Sequence, residues 1–448
     1  MKKFFESLAN VWKIEELKNR ILLTLGLLLV YRFGAQVTLP GIDAAQLANL
    51  GEQTKDGIAS ILDMFTGGAF SQASVFALGI MPYISASIVV QLMGIAIPYL
   101  QKLQKEGESG RKKLNQITRW LTIIICLVQA PGYIYNLYRT LPPQAFLLGF
   151  DSFAFLFSSV IILITGTIFA MWLGEKITDK GIGNGISLLI MVGIIARLPQ
   201  AFIQEFSSRI TNNNGGPLLL VIEVVIWLLV IIACILLVMA VRRIPVQYAR
   251  RTVSGEFEKD AAGGNRQWIP LKLNASGVMP IIFAQAIMFI PAALAGLSQS
   301  ETSQTIAGTF SDPFGFWYNF VFATLIILFT YFYTAITVPT NKMADDLKRS
   351  GGFIPGTRPG AETSDLLDKI MSLITFPGAL FLALLAVFPA IMASAFDVQQ
   401  AWAMFYGGTS LIIMVGVAID TIQQINSYLL NKHYDGLMKT GRNRKAVA

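Results

Sequence analysis

The chain contains few charged residues. Lys, Arg, Asp and Glu make up only 14% of its 448 residues, whereas a soluble protein of this length carries about 25%. Hydrophobic residues reach 54%, and the mean hydropathy is +0.58. The shortage of charge excludes an ordinary soluble enzyme, and the hydrophobic content excludes intrinsic disorder. The composition indicates an integral membrane protein.

Cysteine and histidine are almost absent. The two cysteines, Cys126 and Cys234, lie in apolar runs, and the one histidine, His433, lies in the polar tail. These residues do not provide a secreted disulfide framework, a zinc site with its usual spacing, or a catalytic triad. The sequence therefore predicts no enzyme activity, no metal and no other cofactor.

Ten apolar runs are predicted to cross a bilayer as helices, which needs about 20 residues each. The runs are continuous, unlike the short alternating segments of a transmembrane β-barrel. They cover 21–39, 73–98, 120–138, 152–174, 181–196, 217–241, 275–298, 315–339, 370–393 and 402–427. The predicted fold is an all-α integral membrane protein.

Lysine and arginine distinguish the two sides of the membrane. The segments outside the runs carry 30 of these residues on one side and four on the other, while Arg32 lies within a run. This bias identifies the first side as cytoplasmic. We therefore expect a multi-pass protein of the cell inner membrane with both termini in the cytoplasm.

Two segments on the basic side, 242–274 and 340–369, are longer than a connection between neighbouring helices requires. Loops of such length usually carry function. Their positive charge indicates an acidic partner, such as ribosomal RNA, an acidic protein surface or anionic lipid. The alternative is that the charge only sets the topology.

An internal repeat relates the second and seventh runs. Residues 77–86 read ALGIMPYISA and residues 275–284 read ASGVMPIIFA, with six of ten positions identical. Because these segments lie five runs apart, their helices run in opposite directions. Two inverted halves are typical of a conduit with its pathway between them. The alternative is a chance similarity of two apolar helices that contain Gly and Pro.

The repeat divides the chain into two halves of five helices. The predicted parts are an N-terminal half 1–196, an external linker 197–216, a C-terminal half 217–427 and a basic cytoplasmic tail 428–448.

The spans lack the groups that drive coupled transport. Only Arg32 and Glu223 interrupt their deep parts, whereas ion-coupled transporters carry intramembrane carboxylates and bases. The glycines of GIGNGIS at 181–187 match no nucleotide-binding motif and are interpreted as a close-packed helix start. A secondary transporter for a small solute is therefore disfavoured but stays as the alternative function.

Four stretches carry a resemblance to a known family: 77–87, GIGNGIS at 181–187, FIPGTRPG at 353–360 and YGGTS at 406–410. With the long basic loops, they make the chain resemble the bacterial SecY family, the central subunits of the protein-conducting channel. The resemblance covers nearly the whole chain. It implies a channel that passes unfolded secretory polypeptides across the membrane and releases membrane segments through a lateral gate. The implied partners are SecE-like and SecG-like small subunits, the motor ATPase SecA, the ribosome, signal sequences, nascent chains and membrane lipids.

The resemblance also implies a constriction ring of six aliphatic side chains in the pore. The matching positions are all isoleucine: Ile80, Ile84, Ile186, Ile190, Ile282 and Ile413. A ring of branched aliphatic side chains blocks ions by dewetting and offers no ligand that would hold a passing chain. The alternative is that these isoleucines only pack within their helices.

Residues 57–70 resemble the family's plug, a short half-helix that closes the ring from outside. The segment is apolar at helical spacing and ends in two glycines that could act as a hinge. The implied plug residues are Ile61, Leu62, Met64, Phe65, Gly67 and Gly68. The alternative is an interfacial helix without a gating role.

A lateral gate is implied between the second and third spans on one side and the seventh and eighth on the other. Its candidate polar residues are Ser85, Gln91, Gln129 and Gln285. Hydrogen bonds from such side chains between membrane helices contribute about 0.6–2 kcal/mol each.

The implied binding loops for the motor and the ribosome contain Arg250, Arg251 and Arg358. Arg358 lies between two Pro-Gly pairs, which favour a tight exposed turn. A guanidinium there suits carboxylates or RNA phosphates, and the resemblance implies that it is required for motor-driven transport. The alternative is a solvated loop arginine.

The charge bias makes a testable prediction about topology. Cysteines introduced at Lys259 and Lys348 should not react with a membrane-impermeant thiol reagent added to intact cells, because both loops are expected in the cytoplasm. Labelling before and after cell lysis measures this. Modification in intact cells would contradict the model.

Overall fold

The computed structural model consists mostly of helices. It describes residues 12, 14–43, 47, 63–142, 145–146, 152–211, 216–248, 266–297 and 312–445. The helices are α1 (Glu15–Gly34), α2 (Met81–Ala96), α3 (Pro98–Lys105), α4 (Glu108–Thr140), α5 (Ser152–Lys180), α6 (Gly185–Thr211), α7 (Gly216–Met239), α8 (Met279–Leu297), α9 (Phe316–Thr337), α10 (Thr340–Arg349), α11 (Ala361–Phe396), α12 (Gln400–Ala403) and α13 (Gly408–Lys445). The strands are β1 (Val241–Tyr248), β2 (Arg266–Lys272) and β3 (Gly352–Phe353).

Seven helices in the described part of the chain are long and apolar enough to cross a membrane. An eighth span results if α2 and α3, which bend by 104° at a short break, count together. Helix α1 carries charged residues at both ends, and the apolar helix Met279–Met288 is shorter than a full span. The predicted number of ten spans therefore stays a prediction.

Helix α7 shows the surface chemistry of a lipid-facing helix. Its exposed side chains are apolar, including Leu218 at 75% exposure and Leu236 at 66%. Its one charged residue, Glu223, is fully buried. A helix of a soluble protein shows the opposite pattern, because charged side chains remain in water. The distribution fits a hydrocarbon environment.

The chain packs as two units. The first contains Met1–Asn214, Gln399–Trp402 and Ile413–Ala448, and the second contains Gly215–Val398 and Ala403–Ile412. In the first, α4 packs between α2 and α5, and α5 also packs against α6. The first unit's core forms around buried α4 and α5 residues such as Tyr133, Ile134 and Phe155. In the second, α9 packs against both α8 and α11.

The long segments 242–274 and 340–369 contain a small sheet that the sequence did not predict. Strand β1 pairs antiparallel with β2, from Val241 opposite Lys272 to Gln247 opposite Arg266. Its last two residues pair with β3. The sheet covers an apolar cluster formed with α10 and α11: Ile244, Val246, Leu271, Leu347, Ile354, Leu367 and Met371. The described parts of these segments, 242–248, 266–274 and 340–369, are therefore folded and packed on a hydrophobic cluster.

Helices α5 and α6 approach closely where glycines replace side chains. A Cβ atom on Gly185 would overlap the carbonyl oxygen of Gly174 and lie 2.7 Å from Cβ of Ile177. A Cβ on Gly174 would lie 2.9 Å from Cγ1 of Ile186. The start of α6 therefore requires glycine at both positions.

This packing predicts that Gly185→Ala destabilises the first unit, because overpacking costs about 1–3 kcal/mol. Gly132→Ala is the matched control, since a Cβ there meets nothing within 4 Å. It should be neutral or slightly stabilising, because alanine favours helices over glycine. Thermal unfolding of the detergent-solubilised protein measures both. Equal melting temperatures for the two variants would contradict the prediction.

Candidate functional site

The two copies of the repeat start their helices at the same place. Gly79 and Gly277 both have positive φ angles, of 55° and 64°. Helix α2 begins two residues later at Met81, and α8 begins at the equivalent Met279. Proline follows as the second residue in each helix, where its missing N–H costs no helical hydrogen bond. The sequence repeat is therefore also a repeat of local structure.

All six candidate ring residues lie at the starts of helices. Ile80 immediately precedes α2, and the other five lie within the first two turns of α2, α6, α8 or α13. In the first unit, Ile80, Ile84, Ile190 and Ile413 are at most 8% exposed, and Ile186 is half-buried. In the second unit, Ile282 is half-buried. The structure thus describes each position, while their joint role stays a prediction.

The start of α6 is capped by side chains. Asn184 Oδ1 accepts hydrogen bonds from the backbone N–H of Ile186 at 3.2 Å and of Ser187 at 3.5 Å. Thr178 Oγ1 accepts from the N–H of Gly185 at 2.9 Å. These bonds satisfy N–H groups that have no partner within the helix. The interpretation of the glycine run as a close-packed helix start is confirmed.

The turn before α6 is held by two further helices. Ile182 N–H donates to Thr24 Oγ1 on α1 at 3.2 Å. Gly183 N–H donates to Gln424 Oε1 on α13 at 2.8 Å. Thr24 and Gln424 both belong to the first unit. The turn that leads into α6, the helix that carries Ile186 and Ile190, is therefore fixed by residues far away in the sequence.

The candidate plug is described from residue 63 onward. Met64 and Phe65 are buried, at 6% and 7% exposure. Gly67 and Gly68 have φ angles of 65° and 94°, which favour glycine. The candidates Ile61 and Leu62 lie outside the described residues.

The candidate plug packs against α4 through its last residue, Phe70. The Phe70 and Tyr133 rings lie 4.9 Å apart, and the Tyr133 hydroxyl donates to the Phe70 carbonyl oxygen at 2.8 Å. A second anchor is an ion pair between Asp63 and Arg197 of α6. The sequence did not predict this pair, because its members are 134 residues apart. The one available signal was that Arg197 is among the few basic residues on the side expected to be external.

The candidate gate residues make mostly local contacts. Ser85 Oγ donates to the Met81 carbonyl oxygen at 3.1 Å, and Gln91 Nε2 donates to Ser87 Oγ at 3.3 Å. Gln129 is exposed on α4. In the second unit, Gln285 is buried and hydrogen-bonded to Tyr318 of α9. Their role in a gate stays a prediction.

Arg358 lies at an ordered tip immediately before α11. Its backbone N–H donates to Glu362 Oε2 at 3.1 Å, and its carbonyl oxygen accepts from Thr363 Oγ1 at 2.8 Å. Its side chain is exposed. The backbone is therefore fixed while the guanidinium is available to a partner. Arg250 and Arg251 lie outside the described residues.

The described residues contain no group of three or more His, Cys, Asp or Glu side chains that could hold a metal ion.

The fold matches solved membrane channels. A structure described as a protein-conducting channel aligns with a TM-score of 0.61 at 18% identity, covering 91% of each chain. Sec61 in a canine ribosome–channel complex from the endoplasmic reticulum aligns with a TM-score of 0.59 at 18% identity, also covering 91% of each chain. At this identity the likeness shows the fold. The fold class of an all-α membrane protein is confirmed, and it is that of the protein-conducting channels.

Sequence comparison identifies the family. A family model described as SecY matches residues 74–422. The protein translocase subunit SecY of Haemophilus influenzae is 42% identical over 430 residues, covering 95% of this chain and 94% of that protein. The SecY subunit of Aquifex aeolicus is 38% identical over 436 residues, covering 97% and 99%. The chain belongs to the SecY family, and a solute transporter is not favoured.

Proposed function

We propose that this chain is the channel subunit of a bacterial protein translocase. It passes unfolded secretory polypeptides across the inner membrane and releases membrane segments through a lateral gate. The observation that carries the proposal is the series of helix starts that bring an isoleucine to each candidate ring position, in a chain of the SecY family. The chain conducts polypeptide and catalyses no reaction, so the energy comes from its partners.

The six isoleucines are proposed to form the seal of the resting pore. Branched aliphatic side chains exclude water and ions from a narrow constriction by dewetting. They also have no hydrogen-bonding groups, so a passing polypeptide meets no specific ligand. The burial of Ile80, Ile84 and Ile190 supports a closed resting state. Residues 57–70 are proposed to reinforce the seal as a plug.

Ser85, Gln91, Gln129 and Gln285 are proposed as polar residues of the lateral gate. Three of them make hydrogen bonds within their own unit in the described structure. The bond between Gln285 and Tyr318 joins two helices, and a hydrogen bond between membrane helices contributes only about 0.6–2 kcal/mol. A signal sequence that enters between the helices therefore competes for this bond and from there reaches the lipid.

The basic segments 242–274 and 340–369 are proposed to bind the motor ATPase and the ribosome in the cytoplasm. The sheet and its apolar cluster support this proposal, because they give the described parts of these segments a defined shape. A ribosome–channel complex among the similar structures supports the ribosome as a partner. Small SecE-like and SecG-like subunits are proposed to complete the assembly, with both termini of this chain in the cytoplasm.

The seal is tested by replacing Ile84 and Ile282 with Ser. The hydroxyls should wet the constriction and raise resting ion conductance, and the closed state should lose apolar contacts of about 1–2 kcal/mol. Planar-bilayer recordings measure conductance. The control is Ile195→Ser, which changes an isoleucine of α6 that is 43% exposed. Unchanged conductance in the double variant, at equal channel incorporation, would mean that these residues are not the barrier.

The motor contact is tested at Arg358. Arg358→Glu should insert normally but lower the rate of ATP-dependent translocation at least about tenfold, because it places a repulsive charge against an acidic partner surface. Arg358→Lys should be milder, since it keeps the charge but loses the guanidinium fork. Translocation of a preprotein into vesicles with purified motor measures the rate.

The matched control is Lys113→Glu, a charge reversal at an exposed lysine of α4 that lies outside both proposed binding segments. It should reduce translocation much less than Arg358→Glu. Wild-type export by Arg358→Glu at equal channel abundance would make Arg358 an ordinary solvated arginine.

A further inference from the structure

Two arginines from different helices hold the described part of the plug. Arg197, in the middle of α6, forms an ion pair with Asp63 and donates to Ser71 Oγ at 2.6 Å. Arg32, in the last turn of α1, donates from Nη1 to the Gly67 carbonyl oxygen at 2.6 Å. One guanidinium therefore binds both ends of residues 63–71, and the other binds the middle.

Asp63 closes this segment into a loop. Its Oδ1 atom accepts a hydrogen bond from the backbone N–H of Ser71 at 2.8 Å. Its own carbonyl oxygen accepts from the N–H of Gly68 at 2.8 Å. Its other carboxylate oxygen faces Arg197. The carboxylate of Asp63 thus binds both the backbone of the loop, at Ser71, and α6, through Arg197.

The ion pair is largely shielded from water. The side chains of Asp63 and Arg197 are 12% and 22% exposed. Removing one member of such a pair leaves the other charge buried without compensation, which costs far more than the loss of a surface ion pair. Removal of either partner is therefore expected to loosen the hold of α6 on the loop.

Glycines let the loop sit directly on α6. A Cβ atom on Gly67 would lie 2.7 Å from Cα of Gly193, and one on Gly68 would lie 3.0 Å from the Arg197 guanidinium carbon. Gly193 and Arg197 are four residues apart and so share one face of α6. On this face of α6, the backbone of Gly193 contacts Gly67 and the guanidinium of Arg197 contacts Gly68.

The topology gives a further reason to assign a role to Arg197. Only Lys55, Arg139, Arg197 and Arg209 lie on the side expected to be external, where basic residues are disfavoured. Arg209 pairs with Glu205 on its own helix at 2.7 Å, and Arg139 lies over the Tyr135 ring. Arg197 instead reaches across to a different segment.

We propose that Arg197 and Arg32 are positioning residues that form a two-arginine latch, which holds residues 63–71 against α6 and α1 in the resting channel. A polypeptide that opens the channel must break the ion pair between Arg197 and Asp63. The inference rests on the proposed function in that residues 57–70 act as the plug. The latch itself consists of contacts within the first unit.

The test measures the position of the loop directly. In a background with Cys126→Ala and Cys234→Ala, Met64→Cys places a thiol next to Asp63 at a position that is 6% exposed. Resting membranes without any preprotein are treated with a small membrane-impermeant thiol reagent from the external side. The rate of modification reports how often the loop leaves its site.

Arg197→Gln should raise this rate about tenfold or more, because the charge of Asp63 then lacks its partner. Asp63→Asn should also raise the rate of modification. It removes the negative charge but keeps the shape of the side chain, because an amide replaces a carboxylate. Arg197→Lys should give a smaller increase, since it keeps the charge but loses the fork that binds two groups.

The control is Arg139→Gln, which removes an exposed arginine on the same side and should leave the rate unchanged. Unchanged rates in both Arg197→Gln and Asp63→Asn would overturn the latch, as would an equal increase in Arg139→Gln. If Arg197→Gln does not accumulate, Asp63→Asn decides alone.

The labelling requires no transport, so its result is separate from the proposed function. A parent channel that conducts no preprotein would contradict the proposed function but leave the latch measurement valid. Conversely, unchanged labelling in a channel that exports normally would reject the latch alone.

Discussion

The structure depends on one constraint: a backbone polar group within a membrane must find its hydrogen-bonding partner inside the protein. Regular helices meet this condition by themselves, but the breaks before α2, α6, α8 and α13 do not. Polar side chains in this apolar chain are found at those breaks. Asn184 caps one helix, and Ser410 Oγ donates to the carbonyl oxygens of Met404 and Gly407 at 2.5 and 3.2 Å at another. The candidate ring isoleucines lie next to these breaks, so the same hydrogen bonds fix the backbone that carries them.

Patterns within one segment made much of this fold predictable. The apolar runs predicted the long apolar helices of the described part of the chain. The ALGIMP and ASGVMP stretches marked two helix starts that the structure places at equivalent residues. The ends of the helices were harder to predict from the sequence, because several helices continue beyond their apolar runs into polar residues. Helix α6 continues to Thr211 because Glu205 and Arg209 form a buried ion pair within it. Helix α11 begins at Ala361, where Glu362 and Thr363 bind the preceding backbone.

Contacts between distant segments could not be predicted in this way. Strand β1 was hidden because Arg242 and Arg243 precede a proline, and its apolar residues become buried only when α10 and α11 cover them. Asp63 and Arg197 likewise give no local signal, since each one alone resembles an ordinary polar residue near a span end. The glycines at 67 and 68 suggested a hinge, and the structure adds that their lack of a side chain permits contact with α6. The conformation of residues 63–71 therefore depends on contacts with α6, and the ion-pair partner of Asp63 lies more than 100 residues later in the sequence.

The turn before α6 links distant parts of the chain and therefore constrains the order of assembly. Gly183 donates to Gln424, which follows 241 residues later, and Arg20 donates to the Tyr428 hydroxyl across 408 residues. At a synthesis rate of about 5–20 residues per second, Gln424 emerges about 10–50 s after Gly183. During that interval the earlier helices are already made, but the site for α13 among them is empty. The first unit therefore matures only after α13 has been made, and a chain truncated before α13 would remain an incomplete product, exposed to quality-control proteases.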